Sequence, residues 1–150
     1  MAKHTSLSAY VSKRNGVPMG SSSSLKNMLQ RSLGAATFDG FWQYWNPIWG
    51  YYLSTKIHKP LRSLLPLWLA TILTFAVSGA LHDIAVTLIK LKPIFFFTPW
   101  FSAMGMMVVL AKVTRLRYGK FPWIVRAIAN VSIIVACYGV VTYLMTFISY

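Results

Sequence analysis

Three long apolar stretches limit what this chain can become. Leu67 to Ile89, Ile94 to Val113 and Ile124 to Ile148 each reach the roughly 20 residues needed to cross a hydrocarbon core of about 30 Å. Lipid offers the backbone no hydrogen bonds, so such stretches close their own N–H and C=O groups as α-helices. Pro66, Pro93 and Pro122 stand just ahead of them, where a helix start tolerates a missing N–H. The expectation is an all-α, multi-pass integral membrane protein with about three transmembrane helices in one domain. A hydrophobic content of 56% in 150 residues agrees, being too high for an ordinary soluble fold.

The charge is one-sided: 15 Lys and Arg face two acids, Asp39 and Asp83, for a formal net charge of +13. In a soluble domain that balance would suggest nucleic acid, but no nucleic-acid module accompanies it. The basic residues flank the apolar stretches instead, so membrane lipids are the expected partner and nucleic acid is not. Eight of them precede Leu67, and a second group (Lys112, Arg115, Arg117, Lys120 and Arg126) clusters around the junction of the last two stretches. That distribution predicts a cytosolic N-terminus and an outside C-terminus. The first residues carry charge without a following apolar core, so insertion is expected to rely on the internal segments. A bacterial inner membrane is favoured, with the endoplasmic reticulum as the alternative. Cys137 stands alone, which excludes a disulfide framework and fits a small buried hydrophobe.

Residues 1–34 are basic and polar, with Gly20-Ser21-Ser22-Ser23-Ser24 in the middle. They read as a flexible cytosolic tail ahead of a membrane domain at 35–150. The alternative is a short surface helix carrying Leu25, Met28, Leu29 and Leu33 at helical spacing. From Phe38 the chain turns aromatic, and Trp42, Trp45, Trp49 and Tyr52 fall on one face of a helix expected over about 38–57. Trp and Tyr favour the headgroup level, so this helix is expected to be interfacial or re-entrant. Asn46-Pro47 suits either an N-cap with proline in the first turn, or an amide presented to a site, and both can hold at once. From Ser54 to Pro66 the chain reads as a basic surface loop, with His58 solvated among Lys56, Lys59 and Arg62.

The chemistry concentrates in the first apolar stretch. Thr71, Thr74, Ser78 and His82 are three, four and four residues apart and form one polar stripe, which must face protein or water rather than lipid. Gly79 beside it would admit a second backbone, and Asp83 would pair with a lysine or order a neighbouring side chain. An ionisable pair inside such a stretch usually has a function. No second His, Cys or carboxylate pair sits at ligand spacing, so no metal is expected. No serine occupies a nucleophile elbow. General acid–base work by the imidazole remains, against the alternative that the stripe simply binds another helix.

These residues carry a resemblance. W-N at 45–46 preceded by F-W at 41–42, K-P-L-R at 59–62 and T-F-A-V-S-G-A-L-H-D at 74–83 resemble the active-site core of the membrane-bound O-acyltransferase family. The resemblance implies acyl transfer from acyl-CoA, as a donor substrate rather than a bound cofactor, to a hydroxyl of a lipid, sterol, saccharide or protein. It makes His82 the general base and Asn46 its partner, which hydrogen-bonds the reacting groups. Asp83, Ser78 and Trp45 would support them, and Lys56, Lys59 and Arg62 would bind the donor phosphates. Family members usually carry many more membrane helices, so a homo-oligomer or a second membrane subunit is the implied complement. The competing class is a non-catalytic membrane interaction protein or accessory subunit.

Overall fold

The computed structural model describes residues 6–148, and every regular element among them is helical. In chain order these are α1 (Leu7–Asn15), α2 (Ser24–Leu33), α3 (Phe38–Tyr44), α4 (Pro47–Tyr52), a π-helical turn (Leu53–His58), α5 (Lys59–Leu64), α6 (Leu67–Lys90), α7 (Phe97–Val113) and α8 (Trp123–Ile148). The helices α6 and α8 are long and apolar enough to cross a membrane, and α7 is a shorter apolar helix of 17 residues. At 1.5 Å per residue α7 is about 25 Å long.

Helices α6 and α7 form an antiparallel hairpin whose contact is set by glycine. A β-carbon at Gly79 would lie 2.4 Å from the Phe97 carbonyl oxygen and 2.7 Å from the Thr98 Cα, so only hydrogen fits. Further along the hairpin, Gly105 faces Ile72 and Phe75. The second stretch starts as a helix three residues later than its apolar run, because the chain from Ile94 is fastened to α6 first. The Ile94 N–H donates to the Thr87 hydroxyl at 2.9 Å. Asp83 then accepts the N–H groups of Phe96, Phe97 and Thr98. These are orphan donors at a helix start, so Asp83 caps α7 from a neighbouring helix. Helix α8 lies against α7, with the Trp100 indole donating to the Ile134 carbonyl at 3.2 Å and Phe96 packing on Tyr138.

The core lies where α3 meets this bundle: Phe38, Met104, Val108, Ala111 and Cys137 are buried together, with Trp42, Phe75 and Phe101 packed on them. Helix α3 starts at the Thr37 cap and breaks at Trp45–Asn46. Trp42, Trp45, Trp49 and Tyr52 therefore do not share the single helical face their spacing suggests. The expected loop over 54–66 is likewise helical. Pro60 has no N–H to donate, and the Lys59 N–H reaches back five residues to the Ser54 carbonyl, producing the π turn.

Of residues 1–34, expected to be a flexible tail or to carry a short surface helix over 25–33, residues 1–5 lie outside the described residues, and the rest carry α1 and, where the alternative placed its helix, α2. Ser6 caps α1, Gly16 closes it at φ 77°, and the Asn15 side chain donates to both the carbonyl and the hydroxyl of Ser24. The pair is held to the rest by side chains distant in sequence. Asn130 of α8, fully buried, donates to the carbonyls of Leu33 and Ala35. The Trp123 indole donates to the Gln30 carbonyl at 3.0 Å. At the same end, Arg14 donates to Gln43, Gln43 to Asp39, and Asp39 lies 3.7 Å from Lys112.

Candidate active site

A cavity of about 500 Å³ opens between the aromatic segment and the three long helices. Its walls are mostly rings: Phe41, Trp42, Trp45 and Trp49 on one side, Phe75 on α6, and Phe97, Trp100 and Phe101 on α7. Leu33 of α2 and Val131 and Ile134 of α8 complete it. Asn46, Thr74, Ser78 and His82 are its polar members. Apolar walls strengthen the polar interactions made against them.

The polar stripe on α6 forms as its spacing requires. Thr71, Thr74 and Ser78 are buried and His82 is half-buried. Thr71 and Thr74 spend their hydroxyl protons on the carbonyls one turn back, Leu67 and Ala70. The His82 Nδ1 lies 2.7 Å from the Ser78 carbonyl oxygen. A carbonyl only accepts, so Nδ1 carries a hydrogen, and in the neutral ring Nε2 is then the nitrogen with the free lone pair. The imidazole is held among the rings of Phe101 at 4.9 Å, Phe97 at 5.8 Å and Trp49 at 6.3 Å, the last perpendicular to it.

Asn46 stands at the break between α3 and α4 with φ 40°, a left-handed conformation that asparagine tolerates better than other side-chain-bearing residues. Its Oδ1 accepts the Trp49 N–H at 3.2 Å, so it caps α4 with Pro47 at the first helical position, and it also lines the cavity. The N-cap reading of Asn46 therefore holds, and the same residue borders the cavity. Its backbone N–H points to the Met28 sulfur, which ties this corner to α2. The Trp49 indole crosses to α6 and donates to the Ser78 hydroxyl at 3.0 Å.

Residues 20–148 match the model of the membrane-bound O-acyltransferase family. The chain belongs to this family. Both Asn46 and His82 lie within the matched span, and membership assigns the chain to membrane proteins that transfer acyl groups to oxygen. No curated protein and no solved structure shows significant similarity to it.

In this membrane-bound O-acyltransferase family member the residues singled out from sequence divide into two groups. His82, Asn46, Ser78 and Trp45 line one cavity, with Trp45 stacked on Phe41 at 5.5 Å between centroids. Asp83 does not line it: next to His82 on α6 it points the other way, and its carboxylate is consumed by the start of α7 rather than by a lysine. Lys56, Lys59 and Arg62 do not line it either, and lie on the π turn and α5, beyond the cavity residue Leu53. His58 is half-buried there rather than solvated. Burial, then the nearby Arg62 and Lys112 cations, push its pKa below the usual histidine value. Two residues escaped the sequence reading. Trp49 passed for one more interfacial aromatic. Asn130 passed unnoticed inside the third apolar stretch, although a polar amide there is itself a signal.

Proposed function

We propose that the chain carries the acyl-transfer site of a membrane-bound O-acyltransferase, with acyl-CoA as donor, a lipid or saccharide hydroxyl as acceptor and His82 as general base. The observation that carries this reading is the hydrogen bond from His82 Nδ1 to the Ser78 carbonyl, which, in the neutral form of the ring, makes Nε2 the basic nitrogen at the cavity. Nε2 takes the acceptor hydroxyl proton, the oxygen attacks the thioester carbonyl carbon, and the new C–O bond forms. The C–S bond then breaks, and the departing coenzyme A sulfur takes the proton from the imidazolium. Asn46 uses its Oδ1 for the Trp49 N–H, so its NH₂ group faces the task of polarising the thioester carbonyl. Trp45 forms part of the wall against which the acyl chain lies, and Asp83 supports the site from outside by fixing the start of α7.

Lys56, Lys59 and Arg62 are assigned the phosphates of the donor, charge meeting charge at the end of the helix that starts at Asn46. In this reading the protein is multi-pass, its N-terminus is cytosolic, and its membrane is a bacterial inner membrane or, as the alternative, the endoplasmic reticulum. A second copy or another membrane subunit closes the open side of the cavity.

The test compares esterified products by mass spectrometry in cells carrying wild type, His82→Gln, Asn46→Ala or no protein, at matched membrane abundance. An ester made only with wild type, and reduced about 100- to 10,000-fold by His82→Gln, is expected of a general base. Coinciding profiles, or full activity with glutamine at 82, would overturn the reading and leave an accessory membrane subunit.

A further inference from the structure

We propose that Trp49, its indole anchored by the Ser78 hydroxyl, is a positioning residue for His82 through the contact of their rings, and that it passes the conformation of the Asn46 corner to the imidazole. The inference rests on His82 being the base. Four contacts define it. Asn46 Oδ1 accepts the Trp49 backbone N–H at 3.2 Å and so orients the first turn of α4. The Trp49 indole N–H donates to Ser78 Oγ at 3.0 Å. The Ser78 carbonyl accepts from His82 Nδ1 at 2.7 Å. The Trp49 ring meets the imidazole at 6.3 Å and 90°. The Ser78 hydroxyl thus anchors Trp49 while the Ser78 backbone carbonyl holds His82, and the link between the two is the Trp49 ring set against the imidazole, which keeps the imidazole on that carbonyl.

This arrangement joins two segments 29 residues apart in sequence. An indole is suited to that role because it is a rigid plate with one donor, so the bond and the ring contact are set together. The strained corner gives the reason for the device. A non-glycine residue at φ 40° persists only where its surroundings over-determine it, and here the cap on Trp49 is one of those determinants. Asn46 therefore influences His82 through Trp49 as well as through any contact with substrate.

Two measurements test the proposal on the full chain in membranes. The first is coenzyme A thiol release from added palmitoyl-CoA, expressed per folded molecule, for wild type, Trp49→Phe, Ser78→Ala, the double variant and His82→Gln. Trp49→Phe keeps a ring and loses the donor. It is expected to lower kcat about five- to tenfold, the worth of one net hydrogen bond, with KM unchanged. The double variant is expected to be no slower than the slower single variant, as for residues acting in one chain of contacts. The second is the ¹⁵N spectrum of the histidines, with His82 assigned by its loss in His82→Gln. Wild type is expected to show one neutral tautomer, and Trp49→Phe and Ser78→Ala a mixture of two.

Unchanged kcat and an unchanged tautomer in Trp49→Phe would overturn the proposal, as would losses that multiply in the double variant. A purely structural role would lower membrane abundance and leave both readouts per molecule as they are, which also overturns it. If His82→Gln is as active as wild type while Trp49→Phe still mixes the tautomers, the positioning stands and the assignment of the base falls.

Discussion

Asp83 holds Thr98 twice, accepting its backbone N–H at 2.8 Å and its hydroxyl at 2.6 Å on one carboxylate oxygen. The other oxygen takes Phe96 and Phe97, so a single buried side chain satisfies four donors at the tightest point of the α6–α7 hairpin. Asp83→Ala would leave those donors without partners inside an apolar bundle. The expected loss is about 3 kcal/mol, read as a lower unfolding midpoint in detergent. Asp83→Asn, which keeps one acceptor and adds a competing donor, should fall between.

Gly79→Ala should damage the same hairpin by a different route. Its methyl group would sit 2.4 Å from a backbone oxygen, and backbone cannot rotate away as a flexible side chain would. Separating the helices is expected to cost about 1–3 kcal/mol. The control is Gly139→Ala on α8, where a β-carbon meets nothing within 4 Å; its stability should change by no more than about 0.5 kcal/mol.

Asn130→Ala should release the N-terminal helices while leaving the bundle. The Asn130 amide holds the carbonyls of Leu33 and Ala35, and its oxygen accepts the Tyr118 hydroxyl. Leaving these buried groups unpaired costs about 1–3 kcal/mol. Hydrogen exchange should rise in residues 24–37 and stay unchanged at the α6–α7 contact.

Stability should decline toward both ends of the pH scale for assignable reasons. His58 has its pKa lowered by burial and then by Arg62 and Lys112, so the unfolded chain takes up this proton first as pH falls. The stability due to His58 is complete above its ordinary value near 6.5 and declines below it. His58→Gln should flatten the acid limb of a melting-temperature profile. At the alkaline end, burial and then Asp39 push the Tyr118 phenol up to about 12 from 10.0. Folding there favours the protonated form, so stability is retained below pH 10.0 and declines as pH rises toward about 12. The phenolate absorbance of Tyr118, obtained by difference from Tyr118→Phe, should appear late in the folded protein.

Much of the α6 site is legible in the sequence because it is a matter of period. Thr71, Thr74, Ser78 and His82 share a face by helical spacing alone, and Gly79 beside them predicts a close backbone. The Asn46 cap is legible because Pro47 follows it. The segments that mislead are those whose order comes from elsewhere. Residues 6–34 look too polar to fold, yet α2 is fastened by Trp123 and Asn130, some 90 residues on. The basic run at 54–66 looks like a loop, yet the π turn lets the helix continue through Pro60. Asp83 invites pairing with a lysine, yet three backbone N–H groups converge on it, and backbone donors leave no mark in a sequence.

The sequence alone determined the material: apolar stretches that can only be helices in lipid, and a polar stripe that can only face inward, because both follow from the lipid's inability to hydrogen-bond. Tertiary structure alone decided which partners that stripe would have. Trp49 reaches Ser78 because the chain breaks at Asn46 and returns alongside α6, and His82 faces a cavity because α7 supplies Phe97 and Phe101 as its other wall. Such meetings depend on the directions of separate helices, which no local spacing encodes.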